Sequence, residues 1–183
     1  MACIDYSRIP VDTAKGEIRL VDILPTEDEA STVHCVLRRV SLQDSPSYIG
    51  LSYTWGNPHI RKDICVALPP EKSTPILHTS SGQSAGECIT VLVTSSLQSA
   101  LFHLRGHSEV VKVWADAICI NQEDLEEKSA QVQAMGNIYK SAEQVIAWLG
   151  DAADRSDEVR TFSGSTILMK DFRLQSHVAN VAR

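Results

Sequence analysis

The runs "EIRLVDI" (17–23), "TVHCVLRRVSL" (32–42), "YIGLSYTW" (48–55) and "DICVAL" (63–68) are rich in β-branched residues or alternate apolar with polar positions, and turn-forming residues lie between them. A two-residue period rich in β-branched side chains predicts strands, so the first part of the chain reads as strand-rich. The Pro-, Ser- and Gly-dense stretch 69–87 predicts a long surface loop inserted in a hairpin, because "CITVLV" (88–93) resumes the strand pattern. From Ser95 the period lengthens: Leu97, Ala100, Leu101 and Leu104 share one face of a helix that stops near Gly106. "VVKVWADAICI" (110–120) predicts a mostly apolar strand, on which Cys119 faces opposite to Ile118 and Ile120. Asp124, with Glu127 at capping-box spacing, opens a second helix whose apolar face is Val132, Met135, Ile138 and Tyr139. "QVIAWLG" (144–150) is a further buried strand closed by glycine. Strands alternating with helices in this half imply right-handed crossovers and a sheet that is at least partly parallel.

These elements divide the chain into a lead (1–16), one domain (17–151) carrying the 69–87 loop, and a weakly ordered or truncated segment (152–183) without a legible element. A length of 183 residues suits a single domain. With 43% hydrophobic residues there is enough apolar material for a core. The formal charge of −6 argues against nucleic acid and anionic membranes as partners, since both call for a basic surface. Cys3, Cys35, Cys65, Cys88 and Cys119 are odd in number, widely spaced and never in a C-x-x-C pair, which indicates neither a disulfide framework nor a zinc module. Without a signal peptide or an apolar run long enough to span a bilayer, the expected setting is reducing and cytoplasmic.

Two motifs fail on context. Gly82-Gln83-Ser84-Ala85-Gly86 matches the G-x-S-x-G nucleophile elbow, but a loop precedes it and a strand follows, where the elbow requires a strand before and a helix after. His103 and His107 have metal-ligand spacing, yet Gly106 ends the helix between them and no third ligand is apparent, so no metal site is expected. Cys119 reads as a core thiol, and Trp55, Trp114 and Trp148 as core aromatics. Asp116 is harder to place. A carboxylate among Trp114, Ala115, Ala117 and Ile118 is costly unless paired or set at the strand's exposed end, where open α/β sheets bind ligands. It either lines a site or, with Asn121, ties down the strand-to-helix loop. Glu127 has a sufficient structural role at the third helical position, reaching back to the Asp124 backbone N–H.

The stretches "YIGLSYTWGNP", "SLQSALFHLR" and "VWADAICINQEDLEEKSAQVQAMGNIYKSAEQVIAWLG", in that order, resemble the fungal heterokaryon-incompatibility (HET) domain family. The blocks cover about residues 17 to 151. Departures are Gly50 for the usual alanine, Ser96 for the asparagine before Leu97, Val113 for leucine before Trp114, and Lys128 for arginine after Glu127. Members of the family usually continue well beyond W-L-G, so the resemblance implies either a truncated member or an imperfect gene model.

The resemblance implies a TIR-like or flavodoxin-like α/β fold, with a mostly parallel sheet, flanking helices and an N-terminal strand-rich region. It also implies a role in non-self recognition and regulated cell death, with self-association or other incompatibility proteins as partners. By fold-level analogy with NAD⁺-cleaving TIR domains, the catalytic candidates are Glu127 and Asp116, with Tyr53, Trp55, Asn121 and Gln122 lining a site for NAD⁺ as substrate rather than cofactor. The alternatives are a non-catalytic homotypic interaction module and an inert truncated member.

Overall fold

The structure, a computed structural model, describes residues 4–28, 30–69 and 88–150, together with the backbone of a strand at 166–169. Two 3₁₀ turns, Tyr6–Arg8 and Thr13–Lys15, lead in; the carboxylates of Asp5 and Asp12 cap them by accepting from Ser7 N and Ala14 N. Gly16 closes the second turn at φ +70°, a left-handed conformation that glycine adopts without penalty, and aims the chain into β1 (Glu17–Ile23).

β1 and β2 (His34–Ser41) form an antiparallel pair in register from Glu17 opposite Ser41 to Ile23 opposite Cys35. β3 (Ile49–Tyr53), β4 (Arg61–Ala67) and β5 (Cys88–Thr94) follow, then α1 (Ser95–Leu104), β6 (Val111–Trp114), α2 (Asp116–Cys119), α3 (Leu125–Ser141), β7 (Gln144–Trp148) and β8 (Thr166–Met169). The eight strands make one sheet in the order β5-β4-β2-β1-β6-β3-β7-β8.

Of its seven neighbouring pairs, four are parallel (β2–β4, β3–β6, β3–β7 and β7–β8) and three antiparallel (β1–β2, β1–β6 and β4–β5). The fold is therefore mixed α/β, with β1 antiparallel to both of its neighbours inside a sheet expected to be mostly parallel. Alternation of strands and helices announces the parallel half; hairpin pairing of the early strands leaves no such signature. β1 is buried on both faces, with Ile18, Arg19, Leu20, Val21 and Ile23 all at 1% exposure or less. A charged residue thus sits at the centre of the core.

Several local expectations change. The predicted strand 110–120 stops at Trp114, and the chain enters the single turn α2, where Ile118 N and Cys119 N donate to Ala115 O and Ile120 N to Asp116 O. A short apolar run does not distinguish a buried strand from a buried helical turn. Cys119 consequently does not face away from Ile118 and Ile120; all three are buried. On α3, Val132 is exposed, and its place on the inner face is taken by buried Gln131, whose Nε2 donates to Thr13 Oγ1 and Glu17 O (both 3.0 Å). Thr94 caps α1, its Oγ1 accepting from Leu97 N (3.3 Å). Trp114 and Trp148 are core residues as expected, but Trp55 is 52% exposed.

Residues 166–169, inside the tail that showed no legible element, form β8 parallel to β7. Apart from that strand, the 152–183 segment lies outside the described residues, as do the 70–87 part of the predicted loop and the G-x-S-x-G match within it.

A disulfide joins Cys65 on β4 to Cys88 at the start of β5, their Cα atoms 5.8 Å apart. Spacing along the chain gave no sign of it, because 23 residues separate them; the β4–β5 ladder, with Ala67 opposite Cys88, closes that gap.

Asp124 caps α3 as expected, its Oδ1 accepting from Glu126 N and Glu127 N (both 3.0 Å). Asp124→Ala should cost about 1 kcal/mol, a fall in melting temperature of about 2–4 °C for a domain of this size. An unchanged thermal midpoint would show that the cap does not hold this helix end.

Candidate functional site

β6 and β3 run parallel with Gly50 opposite Trp114, so the segment leaving β6 passes alongside the end of β3. At that carboxyl edge the polar residues of the 116–127 segment divide into two groups.

The first is built on Arg19. Its guanidinium grips the Glu127 carboxylate by two contacts, Nη1 to Oε1 at 2.5 Å and Nη2 to Oε2 at 2.9 Å. Nε donates to Ile9 O (2.8 Å), Nη1 donates also to Cys119 O (3.1 Å), and the Tyr6 ring lies 4.7 Å from the guanidinium carbon. Glu127 Oε1 further accepts from Asn121 N (2.7 Å). One ion pair, 1% and 12% exposed at its two side chains, thus ties the lead, β1, the end of α2 and the start of α3 together. Glu127 turns toward Arg19 and Asn121 N rather than back to the Asp124 N–H, and Asn121 Oδ1 accepts from Glu123 N to shape the turn before α3.

The second group surrounds Asp116. Its Oδ1 accepts from Ala117 N (2.8 Å), and its backbone carbonyl accepts from Gln122 Nε2 (2.9 Å). The Tyr53 hydroxyl is buried beside this carboxylate without a well-formed hydrogen bond; burial first, and the Asp116 charge next, push its phenol far above the ordinary range. Tyr139, also near Asp116, donates from its hydroxyl to Leu51 O (3.2 Å) and packs edge-on against Trp114, with centroids 5.2 Å apart. Gly50 makes this approach possible, since a Cβ there would lie 2.8 Å from the Tyr139 ring. The alanine usual in the HET pattern would need that ring to shift.

Asp116, Tyr53 and Gln122 are therefore brought together, while Glu127 and Asn121 belong to the Arg19 clamp. Exposed Trp55 lies beyond the end of β3. His103 Nδ1 is bonded to Ser99 O (2.8 Å), and its ring packs at a tilt against Trp148, centroids 4.8 Å apart. Sequence reasoning missed Arg19 and Tyr139. An arginine inside the strand pattern "EIRLVDI" was the available signal, since a buried cation requires a partner.

Burial raises the thiols of Cys35 and Cys119 from 9.0 to about 12, and the phenols of Tyr48 and Tyr139 from 10.0 to about 12. Cys119 is thereby a core thiol with little thiolate at neutral pH. Each group holds its proton more tightly folded than unfolded, so its contribution is intact below the unfolded value and is lost as pH rises through the folded one. The urea midpoint should fall progressively between pH 9 and pH 12; a midpoint unchanged across that window would contradict the burial of these groups.

A mixed α/β domain with an acidic, tyrosine-flanked strand end is the class that the fold defines. The family model "Heterokaryon incompatibility protein (HET)" matches residues 48–180, which is most of the chain, and the chain belongs to that family. It is 36% identical over 159 residues to "Heterokaryon incompatibility protein 6, OR allele" of Neurospora crassa, an alignment covering 84% of this chain and 22% of that protein. The chain thus spans about a fifth of the length of this curated relative. No solved structure matches it. Among the described residues no helix is long and apolar enough to cross a membrane.

Proposed function

We propose that this HET domain acts in fungal non-self recognition and regulated cell death by cleaving NAD⁺ at the carboxyl edge of β6 and β3, with Asp116 as the acidic group and the Arg19–Glu127 pair as the clamp that positions its loop. The observation that carries this reading is the difference between the two carboxylates. Glu127 has its charge matched by a guanidinium and both oxygens engaged, whereas Asp116 has no cation bonded to it among the described residues.

Cleavage of the N-glycosidic bond sends the bonding pair to the nicotinamide nitrogen, which becomes neutral, and leaves an oxocarbenium-like ribose. An unmatched carboxylate stabilises the charge that develops there. Water then adds to the ribose carbon and releases a proton. The leaving group needs no general acid, so one carboxylate suffices. Tyr53, Tyr139 and Gln122 border the site, Asn121 shapes its loop, and exposed Trp55 offers aromatic surface near the end of β3. The TIR analogy is one of chemistry at a strand edge, since the mixed sheet is not distinctly TIR-like or flavodoxin-like.

The test is nicotinamide release from NAD⁺ by the purified chain, concentrated or artificially clustered. Release that Asp116→Asn abolishes in a folded protein supports the reading; no release from the folded, clustered wild type sinks it. The second reading is a non-catalytic module working by self-association. It is favoured by Leu125 (78% exposed) and Val132 (49% exposed), seven residues apart on one outer face of α3. Concentration-dependent assembly without NAD⁺ cleavage would establish it.

A further inference from the structure

We propose that, with the Cys65–Cys88 bridge reduced, His34, Cys65 and Cys88 form a binding site for a zinc-class divalent cation on the β5-β4-β2 side of the sheet. His34 and Cys65 are direct partners in the parallel β2–β4 ladder. Cys65 is opposite Thr90 in the antiparallel β4–β5 ladder, and Cys88, two residues before Thr90, projects from the same face of the sheet. Three hydrogen-bonded strands therefore present an imidazole and two sulfurs side by side, and their ligand atoms all lie within 4.8 Å of one another.

Tetrahedral zinc, with bonds of about 2.3 Å to sulfur and about 2.0–2.1 Å to nitrogen, needs its ligand atoms roughly 3.3–3.8 Å apart. Side-chain rotation supplies that difference, because the ladders already fix the backbones. Two thiolates neutralise the dication, and soft sulfur with imidazole selects zinc over magnesium or calcium. His34 and Cys88 are exposed and Cys65 is 7% exposed, so the fourth position opens to water. The site is independent of the Asp116 edge, from which β1 separates it in strand order.

A phosphine reductant takes the oxygen of one water, becomes the phosphine oxide, and delivers two electrons and two protons to the disulfide, giving two thiols. The cation then displaces both thiol protons.

The test is titration of the phosphine-reduced full chain with Co²⁺ and then Zn²⁺, beside His34→Ala and Cys88→Ser, with circular dichroism confirming that each is folded. The expected result is one equivalent of Co²⁺ with a thiolate-to-metal charge-transfer band, displaced by Zn²⁺. His34→Ala should weaken binding by at least about 100-fold, since even outer-sphere partners of metal ligands account for 10–100-fold. Cys88→Ser should lose roughly half of the charge-transfer intensity, one of two thiolates being removed. The proposal is overturned if the bridge resists reduction in the folded protein, if the reduced protein takes up no metal, or if both variants bind as the wild type does.

Discussion

Glu127→Gln should lower the stability of this domain by about 3–5 kcal/mol, because removing one partner of a buried ion pair leaves the other charge uncompensated. The Arg19 side chain is 1% exposed, and the neutral amide offers its guanidinium one acceptor where the carboxylate offers two. Its remaining partners are the carbonyls of Ile9 and Cys119, which satisfy hydrogen bonds without matching charge. The loss should appear as a lowered urea midpoint with an unchanged slope, and Arg19→Met added to Glu127→Gln should recover part of it. Recovery remains partial because those two carbonyls then lose their donor. A midpoint for Glu127→Gln within about 0.5 kcal/mol of wild type, the usual range for surface substitutions, would contradict the clamp. Glu127→Gln is for the same reason a poor probe of chemistry, since it confounds lost charge with lost fold.

Asp116→Asn is the cleaner probe of the proposed NAD⁺ cleavage and should reduce it by about 10²–10³-fold, the usual effect of removing one group that stabilises transition-state charge. Asparagine keeps a side-chain carbonyl to accept from Ala117 N, and the Gln122 contact is to the Asp116 backbone, so the local fold should survive. The urea midpoint should therefore stay near wild type while nicotinamide release falls. Release at wild-type rate would remove Asp116 from the chemistry.

The strands were legible where the period-two pattern was strong: β1 lies where "EIRLVDI" put it, and α1 and the Asp124 cap fall at their expected positions. Strand partners were not, because sequence period reports which side of a strand is buried and not which neighbour it pairs with. The antiparallel insertion of β1 between β2 and β6 and the Cys65–Cys88 bridge are both consequences of pairing. The candidate site was half legible. Asp116 stood out as a carboxylate amid apolar residues, but Glu127 took its partner from a strand 108 residues away, and no local pattern carries such a contact. Val132 exchanged places with Gln131 because a buried amide can satisfy Thr13 and the β1 backbone where an aliphatic side chain could not.

Under the proposed function the two carboxylates divide their work, Glu127 holding the loop and Asp116 serving the site. This division is tested most directly by nicotinamide release from clustered Arg19→Met/Glu127→Gln beside clustered Asp116→Asn, both shown to be folded. Expected is measurable release from the double variant, lowered by loss of the clamp that positions the loop, and almost none from Asp116→Asn. Release from Asp116→Asn with none from the folded double variant would assign the chemistry to Glu127 and contradict that division.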